Sequence, residues 1–541
     1  MQQADGYDYA IVGGGTAGCV IAARLLAAGA GRVLLVESGG ADNHPLIGIP
    51  GANVVTGTLP SINWNYRTEP VAALNGRALY WAQGRVLGGS GAINGMMYLR
   101  GQPGDYDHWR DTGAVGWGHA DVMPAFRRSE TNERGASDLH GGSGPVRVSK
   151  GQSTAPVCDL FVEAATAMGH PASDDLNVPA PEAFGHVDQN VHRGRRSSTS
   201  SAYLRPVAAN PNLTVRTATT VTRLLVRSGR AEGIVCVTDG RTEEIRVTRE
   251  VILCGGSVNT PEILLRSGIG PADELRALGV DVVADLPGVG QNLHNHPFFK
   301  LMFRSSAPVT GYSHVRPLGA MRAGLRYAFA KGGPLARGLF PTAGMFRVES
   351  GDHGMIQVCL APALVIRRKP GIFGILPQEH GFTLLVNQGI PRSTGRVRLV
   401  REGGALRAVI EPDCFNDPRD LTTLARGITH LRAMMRQSPL AGIVAGELAP
   451  DGSAHAGGDL VADIRANAAT HYHPVGTCRM GTDDLAVVGP DLRLRGIEGV
   501  RIADASVMPR IVNGNTFAAT VMVAERAAEF ITGHAPAGPL A

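Results

Sequence analysis

The chain has 541 residues, beyond the size that one hydrophobic core serves, so at least two domains are expected. Its 52 Lys and Arg against 47 Asp and Glu leave a formal charge of +5, which is mild for this length. It lacks the basic blocks with interleaved aromatics that would point to nucleic acid. No apolar run approaches the ~20 residues of a bilayer span, and the seven cysteines form no CxxC pair, which suits a reduced, intracellular protein.

Tyr7–Val12 reads as a short buried strand, β-branched and aromatic, without a breaker. Its position leaves no room for a signal peptide, so a cytoplasmic protein is expected, with loose attachment to the inner membrane left open. Gly13, Gly14, Gly15, Thr16, Ala17 and Gly18 follow and match GxGxxG. Cys19 to Leu26 is small and apolar, as in a helix packed on a sheet, and Arg32 to Val36 is a second strand ending at Glu37. In a dinucleotide site Gly13 permits the tight turn, Gly15 admits the pyrophosphate and Gly18 lets helix and strand pack closely. The helix N-terminus with Thr16 and Ala17 offers N–H groups to phosphate, and Glu37 can accept hydrogen bonds from the adenosine ribose. NAD and FAD share this fingerprint. A single strand-led copy leaves NAD as cofactor, or FAD with the substrate itself as electron source, and leans toward FAD.

Gly84 to Asp107 reads GRVLGGSGAINGMMYLRGQPGDYD. Gly88, Gly89, Ser90 and Gly91 present adjacent N–H groups suited to a phosphate or a planar ring, and Asn94 adds an amide. The apolar neighbours Val86, Leu87, Met96 and Met97 mark a buried loop. Ser90 lacks the closing glycine of a hydrolase nucleophile elbow. The strand Val251–Leu253 then leads into GSVNTPEILLRSGIG, residues 256–270, read as a turn, a helix begun by the Thr260-Pro261 pair, and a glycine stop.

Gly319 to Leu339 looks like a basic amphipathic helix followed by a Gly-Pro break, read either as a solvated face or as a membrane-surface contact. Ile366 to Leu376 joins three cations to an apolar tail, read as a lid, a dimer contact or a plain loop. All four tryptophans, at 64, 81, 109 and 117, come early. That disfavours an aromatic cage for a quaternary ammonium in the later segment, although Trp64 could contribute. Toward the end come HYHPVGTCRMG, residues 471–481, the strand Arg501–Ala503 ending at Asp504, and an amphipathic helix from Thr516 to Ile531.

Together these segments resemble the glucose–methanol–choline (GMC) oxidoreductases, bacterial alcohol, polyol and choline-type dehydrogenases in particular. The resemblance runs from Tyr7 to Ile531. It implies an α/β fold: a Rossmann-like FAD-binding domain from residues 1–155, 200–298 and 466–541, and a substrate domain on an antiparallel sheet from 156–199 and 299–465. It further implies that Glu37 holds the ribose, that Val221 meets adenine through its backbone, and that Arg85, Gly88, Gly89, Ser90, Asn94, Gly95 and Met96 lie along the pyrophosphate and flavin. Asp504 and Ala505 would lie near the ribityl and pyrophosphate, and Asn515 and Thr516 near the flavin ring. Members with histidyl-linked FAD carry histidine where this chain has Ile93, so a non-covalent FAD is expected.

Alcohol oxidation needs an acceptor for the hydride, here the flavin N5, and a base for the hydroxyl proton. The resemblance gives that base as His473, with Asn515 orienting the substrate oxygen. His471 is read either as pocket-lining or as facing solvent or core. His294, His296, His471 and His473 could in principle bind zinc, but the resemblance assigns the His294–His296 loop a structural place, and no metal is expected. The alternative function is a non-redox relative, a hydroxynitrile lyase or fatty-acid photodecarboxylase. Expected partners are a small alcohol and an external electron acceptor (a quinone, a carrier or O2), in a monomer or homodimer.

Overall fold

The computed structural model describes residues 6–179, 182–365, 379–449, 453–455 and 457–534. The 366–376 segment singled out above lies outside the described residues.

The first sheet has seven strands. Five run parallel, in the order Leu213–Arg216, Val33–Val36, Tyr7–Val12, the end of Arg241–Leu253, and Val500–Ile502. Tyr7–Val12 and Val33–Val36 are buried almost throughout, the mark of parallel strands covered on both faces. Arg241–Leu253 changes role along its 13 residues. Its charged first part pairs antiparallel with Arg230–Thr238, which pairs with Thr219–Arg227, and only its apolar end enters the parallel core.

The helices Thr16–Ala27 and Thr516–Thr532 cover one face. They are joined by Arg24 and Glu525, both fully buried, at 2.8 Å. The carboxylate also accepts from Arg128 Nε at 2.9 Å and from the Tyr203 hydroxyl at 2.6 Å, so every buried charge there has a counter-charge.

The second sheet is antiparallel: Val444–Leu448, Pro297–Ser305, Gly381–Gln388, Met355–Ala361, Thr342–Arg347, Ala183–His186, with Ala469–Thr470 also on Pro297–Ser305. Alternation gives it two faces. Phe299, Leu301, Phe303, Phe382, Leu384 and Val386 pack under the helices Pro156–Ala167 and Pro418–Met434. Phe298, Met345, Met355 and Leu385 turn the other way, onto Met97 and Leu99 of the glycine-rich loop.

One boundary read from the sequence is corrected. The helix after Leu253 starts at Gly256 and runs to Arg266, with Pro261 inside it rather than at its first turn. Proline there cannot donate to the carbonyl four residues back. That carbonyl, on Ser257, is taken by the Thr477 hydroxyl at 2.8 Å, and the Thr260 hydroxyl donates to Asp504 at 2.7 Å instead of capping.

Candidate active site

Two glycine turns form the floor. Gly13 has φ +106°, and a Cβ there would lie 2.4 Å from the Cys254 carbonyl oxygen. A Cβ on Gly18 would lie 1.9 Å from the Gly13 carbonyl oxygen. Protein neighbours therefore dictate both glycines. The loop of Gly88 and Gly89 locks against this turn: the Gly88 N–H donates to the Gly14 carbonyl at 2.8 Å, and a Cβ on Gly89 would sit 2.7 Å from Gly15 Cα. Gly15 differs, because its added Cβ would meet nothing nearer than 3.8 Å. No protein contact explains that glycine, whereas a phosphate against the backbone would.

The Glu37 carboxylate accepts from the Gly14 and Gly39 N–H groups at 2.9 and 2.8 Å. Burial pushes its carboxyl up to about 7 against those donors. Arg85 stacks over Trp64 at 4.9 Å. Val221 is buried two residues into the strand whose first residue, Thr219, donates to the Glu37 carbonyl. Asp504, next to Cys254 through the sheet, is committed to protein donors: the Gly256 N–H, the Thr260 hydroxyl and the Ser506 N–H. Ala505 passes its carbonyl to the Gly476 N–H. Ser90 holds its own loop through Gln83 at 2.9 Å, and the Gln83 amide reaches the Tyr472 carbonyl at 3.2 Å.

Beyond this lies a histidine cluster. Residues 294–298 run antiparallel to 469–475, with Pro297 opposite Thr470 and His294 opposite Val475. The pairing sets His296 beside His473, Nδ1 to Nδ1 at 3.0 Å. Asn295 Oδ1 accepts the His473 N–H at 3.0 Å. His471 lies parallel to His473, centroids 5.5 Å apart, with Phe298 at 4.5 Å on its other side. His294 turns to Asn292 instead. Asn515, the residue before the last helix, does not cap it. Its Nδ2 stands 3.2 Å from His473 Nε2, and its Oδ1 is buried without a partner. Thr516 begins that helix.

A chain of donors fixes the tautomers. The Gly389 carbonyl can only accept, so His296 Nε2, at 2.7 Å, carries a proton. Burial holds the His296 imidazole down at about 4, hence neutral, and its Nδ1 is an acceptor. His473 Nδ1 must then donate to it, which leaves the His473 Nε2 lone pair facing Asn515. Burial first, then His296 and His471, keep the His473 imidazole well below its ordinary range. Burial also lowers His294 and His471 to about 3.

These neutral imidazoles have a consequence for stability. As pH falls below the ordinary histidine value of 6.5, the unfolded chain takes up protons that the fold refuses until about 4 or lower. Stability is therefore full above about 6.5 and is lost toward about 4, at ~1.4 kcal/mol per pH unit for each such histidine. Four raised carboxyls, Glu37 at about 7, Asp105 at about 6, Asp413 and Asp504, act in the opposite sense, against nine histidines that burial lowers. The urea midpoint of the FAD-loaded protein should drop across this window, and a flat or rising midpoint would contradict neutral histidines.

Two site residues escaped the sequence reading. His296 carried only a structural expectation. Arg196, 6% exposed, binds the carbonyls of Ile47 and Asn94 and the Asn94 side-chain oxygen, with no carboxylate partner among the described residues, and Asn94 Oδ1 also caps the Met96 N–H. Burial lowers its guanidinium to about 9, and its Nη2 is unpartnered. Met96 in turn adopts φ +62° beside Gly95. An anionic, planar, oxygen-rich cofactor such as FAD fits this floor: the space at Gly15, the orphaned Arg196 Nη2 and Asn515 Oδ1, and the uncapped helix at Thr516 all offer it contacts.

Two GMC oxidoreductase family profiles match, one over residues 7–298 and the other over 391–524. The mitochondrial choline dehydrogenase of Mus musculus is 38% identical over 98% of this chain and 90% of that protein. The oxygen-dependent choline dehydrogenase of Brucella canis is 36% identical over 98% and 96%. Among solved structures, pyridoxine 4-oxidase from Mesorbium loti superposes with a TM-score of 0.85 at 30% identity, covering 96% of this chain and 98% of that one.

Proposed function

Because the chain belongs to the GMC oxidoreductase family and is an FAD-dependent oxidoreductase of CH–OH donors, we propose that His473 takes the hydroxyl proton of an uncharged alcohol while Asn515 holds its oxygen. FAD, when bound, supplies the acceptor for the carbinol hydride. Gly13–Gly18 with Thr16 and Ala17, Glu37, Val221, Arg85, the Gly88–Met96 loop and the Asp504–Ala505 and Asn515–Thr516 turns would hold it. Ile93 is hydrocarbon and offers it no covalent link.

The observation that carries this reading is the tautomer chain from Gly389 through His296 to His473. It leaves His473 Nε2 as the free base, within reach of the Asn515 amide N–H. A substrate hydroxyl between them would give its proton to Nε2 and accept from Asn515, which stabilises the negative charge that grows on its oxygen. His296 is then a positioning residue. His296→Ala should lower kcat by about 10²-fold or more and shift the acid limb of its pH profile. His296→Gln should recover much of the loss, since an amide can also accept from His473 and donate to Gly389. Equal defects in both variants would mean that His296 only fills space.

The substrate class follows from charge. Among the described residues, the groups that act on the rings of His296, His471 and His473 are one another, the Gly389 carbonyl and the Asn515 amide, with no carboxylate among them. Phe298 adds an apolar wall. Such a pocket suits a neutral alcohol with an apolar or aryl body. Choline is the second reading, favoured by the 38% identity to a choline dehydrogenase, but its quaternary ammonium wants a carboxylate or an aromatic cage. Anaerobic mixing of the FAD-loaded protein with aliphatic, aryl and sugar alcohols and with choline tests this. Bleaching of the flavin band by a neutral alcohol but not by choline is expected. Bleaching by choline alone would overturn the substrate class, and bleaching by none would overturn the reaction. Air admitted afterwards reveals whether O2 serves as acceptor, or a quinone or other carrier is needed.

A further inference from the structure

The helix Pro317–Ala330 stands apart from the catalytic machinery. Ala323 and Tyr327 are buried and fix it to the protein, with the Tyr327 hydroxyl on the Gly48 carbonyl at 3.4 Å. On the opposite face Leu318, Met321, Leu325 and Phe329 recur at helical spacing and are 56, 55, 51 and 87% exposed. They make up four of the ten large hydrophobic side chains exposed among the described residues, and the four share one stripe. A stripe of this kind implies something that covers it.

Charge says what. Arg322 and Arg326 are exposed beside the stripe, and Arg316 and Lys331 are exposed at the two ends of the helix, Lys331 over the Tyr327 ring. Between Leu286 and Val348 the chain carries eight Lys and Arg and no Asp or Glu; Arg304 and Arg347 pair with Glu379 and Glu182, whereas the four cations of the helix have no ion pair among the described residues. We propose that this helix seats the protein on an anionic phospholipid surface, with its apolar stripe in the acyl boundary and its cations among the headgroup phosphates. A short helix with a strong apolar face, a cationic border and no acid suits that plane, and each cation adds to the attraction by the anionic leaflet. A two-fold pairing of two copies through this face would set the same cations against each other. The loop beyond the helix packs on the catalytic floor: the Gly338 N–H donates to Gln189 at 3.0 Å, and a Cβ on Gly338 would lie 2.7 Å from the Gly95 carbonyl oxygen. The membrane-facing helix is thus tied to the Asn94–Met96 turn.

Co-sedimentation of the FAD-loaded full chain with vesicles tests the proposal. The protein should pellet with vesicles of equal parts phosphatidylcholine and phosphatidylglycerol, less at high salt, and hardly with phosphatidylcholine alone. Leu325→Ser combined with Phe329→Ser should abolish pelleting, and Arg322→Glu combined with Arg326→Glu should weaken it at least about tenfold. Circular dichroism, FAD content and flavin bleaching by alcohol should be unchanged in both variants. Protein left in the supernatant with the anionic vesicles would overturn the proposal. So would equal binding to neutral vesicles that ignores the charge reversal. A dimer that dissociates on Phe329→Ser, without vesicle binding, would assign the face to a second copy instead.

Discussion

His473→Ala in the FAD-loaded protein should slow bleaching of the flavin band by its alcohol by about 10²–10⁴-fold, the usual contribution of a positioned base. The fold should survive the change. The His473 side chain is half-buried, and its loss leaves His296 with an unpaired acceptor rather than a buried charge. FAD content and dichroism should therefore match the unmodified protein, and the loss should fall on kcat more than on KM. Since burial and the neighbouring rings keep the His473 imidazole neutral, the unmodified enzyme should hold its base form well below neutral pH, with no activity step near 6.5. A variant that bleaches at the unmodified rate would remove His473 from the reaction.

Glu525→Ala is the second large effect, on stability instead of chemistry. Glu525 is 0% exposed, and so is Arg24, whose Nη2 lies 2.8 Å from its carboxylate. Removing the carboxylate takes a counter-charge from that buried guanidinium and also takes an acceptor from Arg128 and Tyr203. Breaking a buried pair from one side costs about 3–5 kcal/mol, because the remaining charge keeps its desolvation penalty. The urea midpoint should fall markedly, and FAD should be lost early, since Arg24 lies on the helix that begins at Thr16. Glu525→Gln should be milder, as it still accepts from Tyr203 or Arg128. A midpoint equal to that of the unmodified protein would show that the pair contributes nothing net.

What could be read from the sequence was what is local in it. The strand Tyr7–Val12, the glycine turn, its helix and the strand ending before Glu37 form one contiguous pattern, and the structure reproduces it. The last helix, Thr516–Thr532, was equally visible. The first ten residues of Arg241–Leu253 were not, because exposed charged residues there hide the alternation. The helix start at Gly256 is not legible because the hydroxyl that makes Pro261 tolerable belongs to Thr477, 220 positions from the Ser257 carbonyl it satisfies. In the candidate site, His473 and Asn515 came from motif resemblance. The role of His296 depends on a strand pairing across 177 positions, and no local spacing encodes it. Arg196 was silent for the same reason, since its partners at Ile47 and Asn94 lie more than a hundred residues upstream.

The nucleotide-binding sheet takes its fifth parallel strand from Val500–Ile502, and its covering helix is Thr516–Thr532. A ribosome that has made only the first three hundred residues has therefore exposed the whole glycine fingerprint without the strand and helix that shield it. That nascent sheet presents an open apolar edge, and Arg24 lacks the Glu525 carboxylate until translation is nearly finished. Cofactor loading must follow synthesis rather than accompany it, and products that stop short of residue 500 become substrates for chaperones and proteases, not flavoproteins with a missing tail.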